Sequence, residues 1–163
     1  MKNKKKIISI IILTMALVIL FIFSYEKVLY SYYVEKAYEF HEKDPSKSIE
    51  YYNKIIKMYP NNYDIYLNMM IVSSHKEDYD SVDEYFQKAY NLNKEDYKLF
   101  YNMGIILASK GDYLNSIDMY IKAKDLNPND KKIYLELANS YDNIMDYENS
   151  QIYYDLYVNI NSN

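Results

Sequence analysis

The sequence predicts an all-α solenoid of about four helix-turn-helix units, each 34 residues long, standing behind one N-terminal transmembrane helix. Three observations carry this. Residues 63–96, 97–130 and 131–163 align without insertion, with Tyr66, Phe100 and Tyr134 in the fourth column, Tyr79, Tyr113 and Tyr147 in the seventeenth, and Phe86, Tyr120 and Tyr154 in the twenty-fourth. A fixed period of this length marks a stacked helical array. The chain has only two glycines and three prolines, and Pro45, Pro60, Gly111 and Pro128 fall at turns between apolar-periodic segments. Ahead of the repeats, an unbroken apolar run follows a cluster of lysines.

The N-terminal element comes first. Residues 1–6 carry Lys2, Lys4, Lys5 and Lys6, and Ile7 to Phe23 are apolar except for Ser9 and Thr14. About 17 residues is the lower limit for crossing a bilayer. The lysines favour a cytoplasmic N-terminus, so a single-pass anchor over 7–24 places the array on the extracytoplasmic side. A cleaved signal peptide has a shorter apolar stretch, about 7–15 residues, and a small-x-small cut site. Here Phe21-Ile22-Phe23-Ser24-Tyr25 follows instead, which favours an uncleaved signal anchor. No glycine or proline interrupts Ile7 to Asp44, so the span is expected to continue as one rod into the first helix of the array. Tyr25, Tyr30, Tyr32 and Tyr33 then lie just outside the bilayer, at the level that amphipathic rings favour.

Residues 25–62 form the stem and a degenerate first unit, keeping Tyr32, Tyr52 and Pro60 in register but Pro45 where the other units have Tyr. Complete units follow at 63–96, 97–130 and 131–163. Helices are expected near 46–59, 63–76, 80–93, 97–110, 114–127, 131–144 and 148–161. Pro60-Asn61-Asn62 and Pro128-Asn129-Asp130 separate units, where a missing backbone donor and turn-forming Asn end one helix before the next. Residues three and four apart share a helix face, so Phe100, Met103 and Leu107 make one stripe and Ile117 and Tyr120 another. The repeated aromatics are therefore assigned to the core.

The unit 97–130 is the best preserved, with Phe100-Tyr101-Asn102-Met103-Gly104, Lys110-Gly111-Asp112-Tyr113, Ser116-Ile117, Tyr120, Ala123 and Asn127-Pro128-Asn129. In these residues the chain resembles the tetratricopeptide repeat family, which implies a solenoid whose first helices line an inner groove. Columns 8, 20 and 27, small in that family, hold Gly104, Ser116 and Ala123. Helices about 8–10 Å apart need a small residue at the crossing.

The resemblance implies a partner-binding groove at columns 2, 5, 9, 12 and 13 of each unit. That surface includes Leu67, Ile71, Ser74 and His75 in one unit, Tyr101, Ile105 and Ser109 in the next, and Leu135, Asn139 and Asp142 in the last. Asp64, Lys98, Ala108, Lys132 and Asn143 complete those columns, and the first unit adds Tyr33 and Ala37. Apolar anchors among neutral polar groups suit an extended or helical peptide. Members that capture chaperone tails use Lys and Asn where Tyr33 and Ala37 stand, so that activity is not expected.

Catalysis has no visible basis. The chain contains no cysteine, glycine-rich phosphate loop, zinc-protease histidine pair or Gly-x-Ser-x-Gly elbow. His41 and His75 occupy equivalent points of successive units, where helix separations near 10 Å exceed the roughly 3–3.5 Å between nitrogens on one zinc. No metal, cofactor or enzymatic role is expected. Four of the 19 lysines stand in the first six residues, and the remaining 15 face 23 acidic side chains, a net of about −8. That balance disfavours nucleic acid as a partner.

At the C-terminal end, Tyr157 replaces the alanine of column 27, and Ile152, Tyr153, Leu156 and Tyr157 are expected to leave an apolar strip uncovered. Such strips mark interaction surfaces, here for a partner or a second copy of the chain. Asn149, Asp155, Asn159 and the Asn161–Asn163 tail favour the opposite reading, a self-capping helix. Of the 23 tyrosines, 13 exceed what the repeat requires, among them Tyr85, Tyr90, Tyr97 and Tyr153; these suit either a recognition surface or a compositional bias of the genome. The function these features favour is a noncatalytic, membrane-tethered adaptor that binds a protein or peptide. The alternative is a cleaved, secreted or periplasmic module binding free peptide or polysaccharide.

Overall fold

The computed structural model describes residues 2–160, excepting the side chains of Lys2, Asn3 and Lys5. They form eight α-helices: α1 Lys2–Phe40, α2 Pro45–Met58, α3 Tyr63–His75, α4 Tyr79–Leu92, α5 Tyr97–Ser109, α6 Tyr113–Leu126, α7 Lys131–Asn143 and α8 Tyr147–Asn159. No strand occurs among the described residues. Each helix expected after the stem is present with its bounds within one or two residues. Pro45 differs in role: it is the first residue of α2 rather than part of a turn, a position where its missing N–H costs nothing.

The boundaries have a repeated chemical cause. Seven helices begin behind an acidic or amide cap, with Asp44, Asn62, Asp78, Asp96, Asp112, Asp130 and Asp146 each accepting a hydrogen bond from a first-turn N–H. These side chains satisfy donors that the helix itself leaves unpaired. Between the two helices of each complete unit the chain closes the same turn. The N–H groups of Asp78, Asp112 and Asp146 bond to the carbonyls of Ser73, Leu107 and Tyr141. Those of Glu77, Gly111 and Met145 bond to Ser74, Ala108 and Asp142. This pair of bonds is the Schellman arrangement and requires a left-handed residue at its corner. Accordingly Glu77, Gly111 and Met145 have φ of 56°, 79° and 62°. Only the middle unit meets that requirement with glycine.

The chain divides into two compact units, residues 1–60 and 61–163. In the first, α1 and α2 pack antiparallel around Ala37, Tyr52 and Ile55, all fully buried. The Ser48 hydroxyl donates to the Ala37 carbonyl at 2.8 Å at one end, and Tyr30 meets Tyr59 edge-on at 5.4 Å at the other. α1 is continuous, as its lack of helix breakers predicts. Lys6–Phe40 is long and apolar enough to cross a membrane, and its most apolar window, of mean hydropathy 3.0, buries nothing within the protein.

In the second unit α3 pairs with α4, α5 with α6 and α7 with α8, while α3 lies against α5 and α5 against α7. One core cluster joins Phe100, Ile117, Tyr120 and Ala123 to Ile133 and Leu137 of the following helix. Tyr120 is fully buried, and its ring lies where a Cβ on Gly104 would stand, 2.5 Å from Cε1. Gly104 is thus small because the tyrosine occupies its side-chain space. Nearby, the Ser116 and Ser140 hydroxyls bond at 3.2 Å, so two buried polar groups satisfy one another.

The excess tyrosines are mostly packing residues. Tyr85 stacks on Tyr66, Tyr90 on Phe86 and edge-on to Phe100, and Tyr153 on Tyr141. Tyr97 lies partly buried against the core. The last unit departs from the core assignment of the repeated aromatics: Tyr147 and Tyr154 are 64% and 48% exposed.

Candidate partner-binding surface

The side-by-side arrangement of α3, α5 and α7 brings the groove columns of three units onto adjacent helices. Within them the residues differ in access. Leu67 is buried at the base, Ile71, Tyr101 and Leu135 are half-buried, and Ile105 at the middle of α5 is 40% exposed. His75, Ser109, Asn139 and Asp142 are exposed, and Ser74 is half-buried. The Ser74 and Ser109 hydroxyls return to the carbonyls of Ile71 and Ile106, at 2.7 and 2.8 Å. They are occupied in capping their own helices. The Asn143 amide likewise donates to the Asn139 carbonyl at 2.8 Å.

Ala37 does not belong to this surface. It is fully buried under α2 because its helix face closes against Ser48, and Tyr33 is half-buried beside Tyr51.

One polar group on α7 was not singled out from the sequence. Glu136 is half-buried in column 6, where the other complete units carry Asn68 and Asn102. Burial raises its carboxyl above the usual carboxylate range, opposed by a hydrogen bond with Asn139. Tyr101, 5.9 Å from Tyr120 in ring-to-ring distance, has its phenol pushed up to about 12 by burial and by the neighbouring Glu136 and Asp130 charges. The signal was available in the column, since three polar residues recur where the flanking columns are apolar. Tyr101 and Glu136 offer hydrogen bonding on the same run of first helices as the apolar Ile105.

The C-terminal strip resolves into two. Tyr153 stacks on Tyr141 at 5.4 Å and approaches Tyr134 at 6.4 Å, while Tyr157 is half-buried with the Lys131 ammonium 5.7 Å above its ring. These two form a ridge against the array. Ile152 and Leu156 lie exposed on one flank, and Tyr154 and Val158 on the other. The Ile152 flank borders an open cleft of about 490 Å³ with Lys124, Asp125, Pro128 and Tyr134. Of the expected apolar strip, Ile152 and Leu156 are exposed while Tyr153 and Tyr157 are half-buried, and Tyr154 and Val158 are exposed beside them. The Asn161–Asn163 tail lies outside the described residues.

Residues 97–130 match a family model described as tetratricopeptide repeat. Among solved structures, a crystal structure of MamA superposes with a TM-score of 0.72 at 16% identity, covering 85% of each chain. A double mutant titled MamA RS-1 ArsTM gives 0.69 at 17% identity, over 81% of this chain and 72% of that one. The structure titled MamA AMB-1 gives 0.62 at 16% identity, over 77% and 69%. No curated protein matches the chain by sequence. At these identities the likeness is one of fold.

Proposed function

We propose that this protein of the tetratricopeptide repeat family is a noncatalytic scaffold, tethered to a membrane by α1, that holds a protein or peptide partner along α3, α5 and α7. The exposure of Ile105 carries the reading. An isoleucine in the middle of the central first helix is 40% accessible, with half-buried Ile71 in its column on α3 and half-buried Leu135 one turn away on α7. Apolar anchors ringed by polar positions are the pattern of grooves that take peptides. The single repeat matched by family and the fold shared with MamA support a scaffold; tethering is supported by the apolar length of α1. A tether makes binding effectively local, raising the encounter rate of a partner in the same membrane without chemistry.

The test is a crosslinked pull-down of the full-length protein from its native membranes, beside an Ile105→Asp variant of unchanged melting temperature. Leu67 is unsuitable for this purpose, because an acid at a buried position would unfold the array. A stoichiometric partner lost from the Ile105→Asp sample supports the groove. Equal recovery from both samples removes it.

A further inference from the structure

If α1 spans the bilayer, the geometry of the first unit decides which part of the helical pair meets the lipid. A hydrocarbon core about 30 Å thick takes about 20 helical residues. A span that begins at Ile7 therefore leaves the core near Glu26, the first acidic side chain of the chain. Tyr30 follows about 6 Å further along the same unbroken helix. The headgroup layer on each side is about 5–8 Å deep, so Tyr30 lies within it.

α2 does not lead away from this level. It runs antiparallel to α1, starting beside Ala37 and ending with Tyr59 in edge contact with Tyr30 at 5.4 Å. The fold thus returns the last turn of α2 to the bilayer surface, about 30 residues after the chain first left that level. Here Tyr59 is 38% exposed, and Lys57 and Pro60 are exposed beside it. Lys27 is exposed on α1 at the same end. Tyrosine is favoured at the headgroup level. Lysine combines an apolar stem, which lies along acyl chains, with an ammonium that reaches the phosphates. The charged residues at this end of the two helices are Lys27, Lys57 and the half-buried Glu26.

We propose that the end of α2 and the two residues after it, Lys57 to Pro60, form with Lys27 and Tyr30 a second membrane contact that engages phospholipid headgroup phosphates. The stem is then held at two points rather than one, which restricts its tilt. This rests on the reading that α1 spans the membrane.

The chain contains no tryptophan, so single replacements are clean reporters of depth. Full-length Tyr59→Trp and Phe21→Trp proteins would be reconstituted in phosphatidylglycerol vesicles bearing a nitroxide either at the headgroup or at mid-chain. The expected result is loss of Tyr59→Trp emission with the headgroup label, little loss with the mid-chain label, and the reverse for Phe21→Trp. If Phe21→Trp is quenched from mid-chain while Tyr59→Trp responds to neither label and is freely quenched by aqueous iodide, α1 spans and the second contact is refuted. If neither position responds to lipid-borne labels, the spanning reading fails and the contact falls with it. Lys27→Gln with Lys57→Gln in the Tyr59→Trp background should reduce the headgroup quenching, and unchanged quenching would overturn the role of the ammonium groups.

Discussion

Helices α6 and α8 occupy the same place in successive repeats, yet α6 buries Ser116, Ile117, Tyr120 and Ala123 while α8 buries no residue. Column 24 makes the contrast sharpest. Tyr120 is fully buried and Tyr154 is 48% exposed, although the residue type is the same. The difference is the neighbour: α7 covers α6 with Ile133 and Leu137, and no further helix covers α8 among the described residues. In a solenoid the repeat motif specifies a side chain's direction, and the following unit decides whether it becomes core.

The largest effect expected from this contrast is on stability. Tyr120→Ala should cost about 3–5 kcal/mol, as for other large buried aromatics. Tyr154→Ala, at a half-exposed position, should cost no more than about 1 kcal/mol on the scale of surface substitutions. Urea denaturation of both variants measures the gap, and equal costs would mean that α8 is covered in solution. Next comes Gly104→Ala, whose added methyl meets the fully buried Tyr120 ring. Overpacking of this kind costs about 1–3 kcal/mol, visible as a lower urea midpoint at unchanged slope.

A smaller effect of opposite sign sharpens the comparison at the turns. Met145→Gly and Glu77→Gly relieve a left-handed side chain and should each stabilise by a few tenths to about 1 kcal/mol. Gly111→Ala should destabilise by a similar amount, because its φ of 79° is unfavourable for alanine. Thermal melts of the three variants check the sign at each corner.

The smallest effect is a pH dependence at Glu136. Its folded-state acidity is weakened by burial, so the native state holds the proton to higher pH than the unfolded chain. Stability is then greatest below the ordinary glutamate range and declines as pH rises through the raised value. Glu136→Gln should remove that decline and be the more stable form at neutral pH. Parallel urea titrations at acidic and neutral pH would show a difference between wild type and variant only on the neutral side.

Much of the fold was legible because period and breakers act locally. Proline and asparagine between units located the helix ends, and the aspartates of the capping columns explain why those ends are sharp. Burial was less legible, since it depends on what the neighbouring helix brings. Tyr147 and Tyr154 share columns with core residues but lack the neighbour, while Tyr153 and Tyr157, expected on the surface, fold back onto α7. The groove columns fall on α3, α5 and α7, but their depths were not legible, with Leu67 buried and Ile105 exposed in adjacent units. Glu136 was missed because a carboxylate on a helix normally reads as solvated surface, and only its packing shows otherwise.

The most direct measurement is site-specific photocrosslinking in the native membrane, with a photoreactive side chain at position 105 in one sample and at 156 in another. The predicted result is an adduct of defined mass with a different protein from position 105, and a weaker one or none from 156. Adducts from 156 alone would contradict the groove and move recognition to the exposed end at α8.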